Sequence, residues 1–302
     1  FNPDTEAAIV RLIMLQIIDE EIAAGEPLAR VVISSNKFPI PTRVLACRAL
    51  AAAFEKPVPA IFGALRESDS MLFRIPVLAL LAEQTGAEAH LDAIAKSSLT
   101  IAPLAKFEMA RANPSPAAAG TVEKALAIGQ PIAVNYILQQ ARKDIDKLGP
   151  KADFYVAPLL KFISSVEPDT NKMTHNHLMA VKATTLLMDL GTPEAIAGLT
   201  KIMNGRYSAI TRAAAAGLLR TKNKAARPLA MKLLKSEYPE LKTYGALTLG
   251  HFADPAASDY FNRIITREAG HTVAETILAS WYLLKINKQS AQAAKELAKL
   301  IR

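Results

Sequence analysis

The chain is poor in the residues on which most catalytic, β-rich and disulfide-bonded proteins depend. Its one cysteine, Cys47, permits no internal disulfide and no cysteine-based zinc site. The run Leu45-Ala46-Cys47-Arg48-Ala49-Leu50 reads as helix interior, where a thiol is a small buried apolar group. Thirteen glycines in 302 residues are too few for the frequent tight turns of an all-β chain. Aromatic residues are only 6% of the total. The single tryptophan, Trp281, precedes Tyr282 in an apolar helical run, and its expected place is the core. No apolar run reaches the ~20 residues that span a bilayer. The best stretch, Ala8 to Ile18, is broken by Arg11 and Gln16 and reads as an amphipathic or buried helix. The chain begins at Phe1 rather than Met, so either a signal peptide was removed or the chain was cut there; export is the favoured expectation.

Catalytic signatures are also missing. There is no His-Glu dipeptide, no glycine-rich phosphate loop, no nucleophile elbow and no HExxH. The acidic pair Glu20-Glu21 lies among polar residues near a helix end and reads as solvated. One segment sets histidine and methionine in alternation: Met173, His175, His177 and Met179. In an extended strand these four would share a side, and imidazole with thioether suits copper. The segment leads into an alanine-rich run, however. On a helix, residues two apart diverge, so His175 and His177 are weak metal candidates at the first turn of a helix. His90, His251 and His271 are scattered. No cofactor and no catalytic residue is expected.

What the chain does hold is alanine and leucine, strong helix formers, in a recurring layout. Segments opening near 193, 224 and 255 each carry a first helix, a short polar break and a second helix rich in small apolar residues. The openings are 31 residues apart. Looser versions run from 26 to 56, 57 to 86, 87 to 113, 115 to 148 and 151 to 191, giving about eight helix pairs. Terminal helices over 4–24 and 289–301 close the ends. One such pair cannot bury its apolar stripe alone, whereas stacked neighbours share a core. Proline placement agrees: Pro57, Pro131, Pro193 and Pro255 stand where helices should begin. Gly86, Gly191 and Asn223 stand where left-handed caps should end them. The turns at 149–150 and 165–170 are the expected irregularities, dividing residues 1–150 from 151–302 with a bend around 149–170.

The segment from Thr192 to Arg220 resembles the bacterial HEAT-like (PBS-lyase-type) repeat. The resemblance is carried by Pro193-Glu194-Ala195 and by Arg212 ahead of Ala213-Ala214-Ala215. Arg43 and Arg74 fit the same arginine position, and Lys242 replaces it once. The resemblance extends over nearly the whole chain in layout and is specific over 192–254. It implies an all-α, right-handed α-solenoid, second helices on the concave side and first helices on the convex side. It further implies that the arginines pair with acidic or carbonyl groups between repeats.

Charge is the clearest functional signal. The net charge is +8. Residues 1–150 carry 15 lysines and arginines against 16 acids, whereas residues 151–302 carry 21 against 12. The densest stretch, 201–242, holds ten cations against Glu237 and Glu240. Arg206, Arg220, Lys222, Lys224, Arg227 and Lys235 are its candidate partner-binding residues, with Arg206 and Lys235 at turns opposite to those of the others. Such a field attracts an anionic partner. The reading is a non-catalytic interaction scaffold docking an acidic protein. Two others stand beside it. One is nucleic-acid binding, weakened by the lack of interleaved aromatics. The other is burial in an assembly or attraction to anionic lipid, favoured by a mean hydropathy of +0.16.

Overall fold

The computed structural model describes residues 3–54, 57–68, 70–166, 174–203, 208–221, 223–266 and 272–301. Among the described residues the chain is all-helical, with no strand. It divides into two compact units, residues 1–140 and 141–302.

Unit 1 holds α1 (Pro3–Glu20), α2 (Glu26–Ser34), α3 (Ile40–Ala53), α4 (Val58–Glu67), α5 (Met71–Ala82), α6 (Glu88–Ala95), α7 (Ala102–Ala112), α8 (Ala118–Leu126) and the start of α9 (Pro131–Leu148). Packing alternates. α1 lies against α3, α3 against α5 and α5 against α7, forming one row, while α2 lies against α4 in a second. Rungs α2–α3, α4–α5 and α6–α7 join the rows. Each row needs an apolar stripe on both sides of its helices, and the sequence supplies it: Ala46, Cys47, Ala49 and Leu50 are buried on α3, and Phe73, Ile75, Val77 and Leu78 on α5. Cys47 is fully buried, and burial pushes its thiol up to about 12, as befits an inert core group.

Unit 2 continues with α10 (Val156–Ser165), α11 (His175–Leu190), α12 (Pro193–Ile202), α13 (Ala209–Leu218), α14 (Arg227–Leu234), α15 (Pro239–His251), α16 (Ser258–Ile265), α17 (Val273–Ile286) and α18 (Ala291–Ile301). Here α11, α13, α15 and α17 pack in one row, and α10, α12 and α14 in another. Small residues let the helices approach. A Cβ on Gly217 would stand 2.6 Å from Cβ of Met188, and one on Gly245 would stand 2.6 Å from the carbonyl oxygen of Ala230. Alanines 214 and 215 on α13 are wholly buried. Small size here is a packing requirement as well as a helix preference.

The helix starts recur with the expected spacing. Thr192, Asn223 and Asp254, 31 residues apart, each accept a backbone N–H with their side chains: Ala195, Ala225 and Ala256 respectively. Pro131 and Pro193 open α9 and α12, and Pro255 opens a short 3-10 turn. Gly86 and Gly191 take left-handed φ of 78° and 62°. Asn223 departs from the expected left-handed cap. Its φ is −82°, because its side chain starts the following turn instead of ending the preceding helix. The left-handed position after α15 is filled by Ala253, at φ 56°.

Candidate interaction surface

Four arginines of unit 2, Arg142, Arg212, Arg220 and Arg227, are held by carboxylates from other elements. Arg220, just past α13, directs Nε and Nη2 to Oδ1 of Asp189 on α11 at 3.2 and 2.9 Å. The other carboxylate oxygen of Asp189 receives Nη2 of Arg142 at 2.7 Å. Arg227, at the start of α14, pairs with Asp254. Arg212 on α13 reaches Glu240 on α15 at 3.3 Å. In unit 1 the corresponding Arg43 donates from Nε to the carbonyl of Ile33 at 2.8 Å. Arg74 donates to the carbonyl of Leu65 and, from Nη1, to Thr100. A guanidinium suits this work because its planar fork can place two N–H donors on one carboxylate, as Arg220 and Arg227 do.

The Arg227–Asp254 pair has a titration consequence. The hydrogen bond from Arg227 holds the Asp254 carboxyl below the usual carboxylate range, opposed by burial and assisted by the N–H of Ala256. The same pair raises the Arg227 guanidinium.

The candidate cations therefore separate into classes. Arg220 and Arg227 have much of their charge answered by carboxylates. Lys224 and Lys235 are exposed, and their side chains have no hydrogen bond or ion pair among the described residues. Arg206 and Lys222 lie outside the described residues. Lys232, which the charge reading did not single out, donates from Nζ to the carbonyl of Thr200 at 3.2 Å. Nor is the set one patch. Arg220, Lys224 and Arg227 bracket the turn before α14, and Lys235 follows its far end, on the order of 12 Å away along an eight-residue helix. Beside Lys235 lies a cleft of about 350 Å³, walled by Met203, Thr211, Lys232, Ser236 and Glu237.

The histidine pair does not converge. His175 is exposed and His177 buried, both on the first turn of α11. Nδ1 of His177 accepts the backbone N–H of Thr174 at 3.2 Å, so the ring closes a capping box. Met173 lies outside the described residues, as does His271. Among the described residues no three metal-ligating side chains gather. No helix there is long and apolar enough to cross a membrane.

Trp281 corrects the sequence reading: it is 60% exposed. The buried face of α17 is Thr276, Ala279, Ser280 and Leu283. Tyr282 supplies the packed ring, stacking on Phe261 at 5.3 Å between centroids. One residue earlier is about 100° round the helix, which turns Trp281 outward with Val273, Ile277 and Leu278. Both faces of this helix are apolar, so periodicity alone did not assign them.

The sequence matches no family model, and no curated protein is similar to it.

Proposed function

We propose that the chain is a HEAT-like, right-handed α-solenoid. In this reading it is a non-catalytic scaffold or assembly subunit whose basic C-terminal block docks an acidic protein. The alternating packing of helices in two rows and the 31-residue recurrence of capping residues support the architecture. Extended rows of second helices are the usual binding surface of such arrays.

The docking half of the proposal is carried by one observation. Unit 2 pairs Arg142, Arg212, Arg220 and Arg227 with its own carboxylates, whereas the exposed side chains of Lys224 and Lys235 meet no carboxylate among the described residues. Unpaired surface lysines speed the encounter with an acidic partner and make it depend on salt. Changing the lysines alone isolates this effect, since the ion-paired arginines also hold the fold.

The test is affinity capture from the native source, with wild type beside Lys224→Gln/Lys235→Gln and confirmed melting temperatures for both. An acidic protein kept by wild type and lost by the variant supports the reading. Capture of nucleic acid in its place, or an identical protein set from both, overturns the docking surface.

A further inference from the structure

We propose that the exposed face of the α1–α3–α5 row in unit 1 is a docking groove for a polypeptide segment bearing apolar side chains flanked by carboxylates. This site is separate from the lysines of unit 2, and its occupant differs in needing an apolar stretch.

The groove is a cleft of about 460 Å³. Its walls include Leu15 on α1, Leu45 on α3, and Leu72 and Pro76 on α5. Leu15 is 45% exposed and Leu72 60%, large apolar side chains left in water on one face of a folded unit. Adjacent exposed apolar groups of this kind mark interaction sites more than scattered single ones do. The volume lies within the roughly 300–1,000 Å³ of ordinary ligand sites, enough for a short segment.

Charge identifies the occupant. Arg11 on α1 and Arg48 on α3 also line the cleft. Every other arginine of unit 1 has a partner. Arg30 pairs with Glu26, Arg43 with the carbonyl of Ile33, Arg74 with that of Leu65 and Arg111 with Glu108, while Arg66 sits over the ring of Phe62. The side chains of Arg11 and Arg48 alone among them make no hydrogen bond, ion pair or ring contact among the described residues. Among the described residues, a unit that answers its other guanidiniums leaves two unpaired where three helices meet around one apolar floor. Guanidinium is the side chain best matched to a carboxylate, through two parallel N–H donors.

Pro76 lies inside α5 and has no N–H to give to the carbonyl of Leu72, one helical turn earlier. The interrupted ladder lies between two residues that line the cleft, Leu72 and Pro76. Two cations on two helices beside an apolar floor match a polypeptide with acidic residues either side of Leu, Ile or Phe. A fatty acid offers one carboxylate to the two arginines.

The experiment is selection of a random dodecapeptide library displayed on phage against the full chain. Enriched peptides are then titrated by fluorescence anisotropy. The expected peptides combine Asp or Glu with large apolar residues. They should lose affinity by about tenfold or more on Arg11→Gln/Arg48→Gln, and separately on Leu72→Gln. They should bind Lys224→Gln/Lys235→Gln as they bind wild type. Unchanged circular dichroism melts show that the variants fold, as expected for exposed side chains. Enriched peptides without carboxylates would overturn the proposal. So would equal affinity for the double-arginine variant, or binding that follows the unit 2 lysines. Decanoate binding that depends on Arg11 and Arg48, with no peptide enriched, would overturn it in favour of a small amphiphile.

Discussion

The side-chain amide of Asn223 donates to the carbonyl of Gly191, 32 residues earlier, at 2.8 Å, while its oxygen accepts the N–H of Ala225 at 2.9 Å. One side chain thus starts its own helical turn and ties it to the end of α11, three elements back. Asn223→Ala removes both bonds. The expected loss is about 1–2 kcal/mol, read as a lower urea midpoint. Asn223→Asp keeps the acceptor and removes the donor, so it should recover part of the loss. An alanine variant as stable as wild type would show that the link contributes nothing.

Two left-handed positions make opposite predictions. Gly191→Ala places a Cβ at φ 62° and should destabilise by about 1 kcal/mol, whereas Ala253→Gly relieves a residue at φ 56° and should stabilise by a similar amount. Thermal melts of the two variants check the pair. A lower melting temperature for Ala253→Gly would contradict the strain argument.

Glycines inside helices divide the same way. A Cβ on Gly245 would stand 2.5 Å from the backbone nitrogen of Leu234, so Gly245→Ala must push α14 away from α15. About 3 kcal/mol of destabilisation is expected from overpacking against backbone. Gly63, within α4, has open space for 4 Å around the point where a Cβ would stand, and Gly63→Ala should stabilise by about 0.5–1 kcal/mol through helix preference. Chemical denaturation of both variants decides the matter.

Asp254 sets an acid limit. Its folded pKa is depressed by Arg227, so its contribution is present above the ordinary carboxylate pKa of about 4 and lost as pH falls through the folded value. Asp254→Asn retains an oxygen for the N–H of Ala256 and removes the charge. Wild type should exceed this variant in stability near pH 6, and the two should converge as pH falls well below 4. Added salt should narrow the gap at pH 6, since the arginine side faces solvent. A gap constant from pH 6 to pH 2 would mean that charge is not its source.

Trp281 is the only tryptophan, so its fluorescence reports one site. At 60% exposure its emission should already be red-shifted in the native state and be quenched efficiently by acrylamide. Trp281→Ala should change stability by under about 1 kcal/mol, against about 3–5 for a buried tryptophan. A blue-shifted, protected emission would return the ring to the core.

The sequence by itself determined the helices and their recurrence, because the causes are local. Pro193 opens a helix where its missing N–H costs nothing, and Thr192 caps it three residues ahead of Ala195. Gly191 turns left-handed where a Cβ would be strained. Alanine-rich runs such as Ala213 to Ala216 favour helix before any neighbour arrives. Tertiary structure decided what each exposed group faces. Arg220 and Lys224 read alike in a charge count, yet Arg220 meets Asp189, 31 residues away, and Lys224 meets solvent. Trp281 and Tyr282 read alike as core aromatics, yet stacking on Phe261 selects Tyr282. Arg11, Arg48 and Leu72 are distant in sequence, and only the side-by-side row of α1, α3 and α5 sets them around one cleft. The reason is the range of the forces: helix preference acts within a turn or two, whereas pairing and burial depend on which helix stacks beside which.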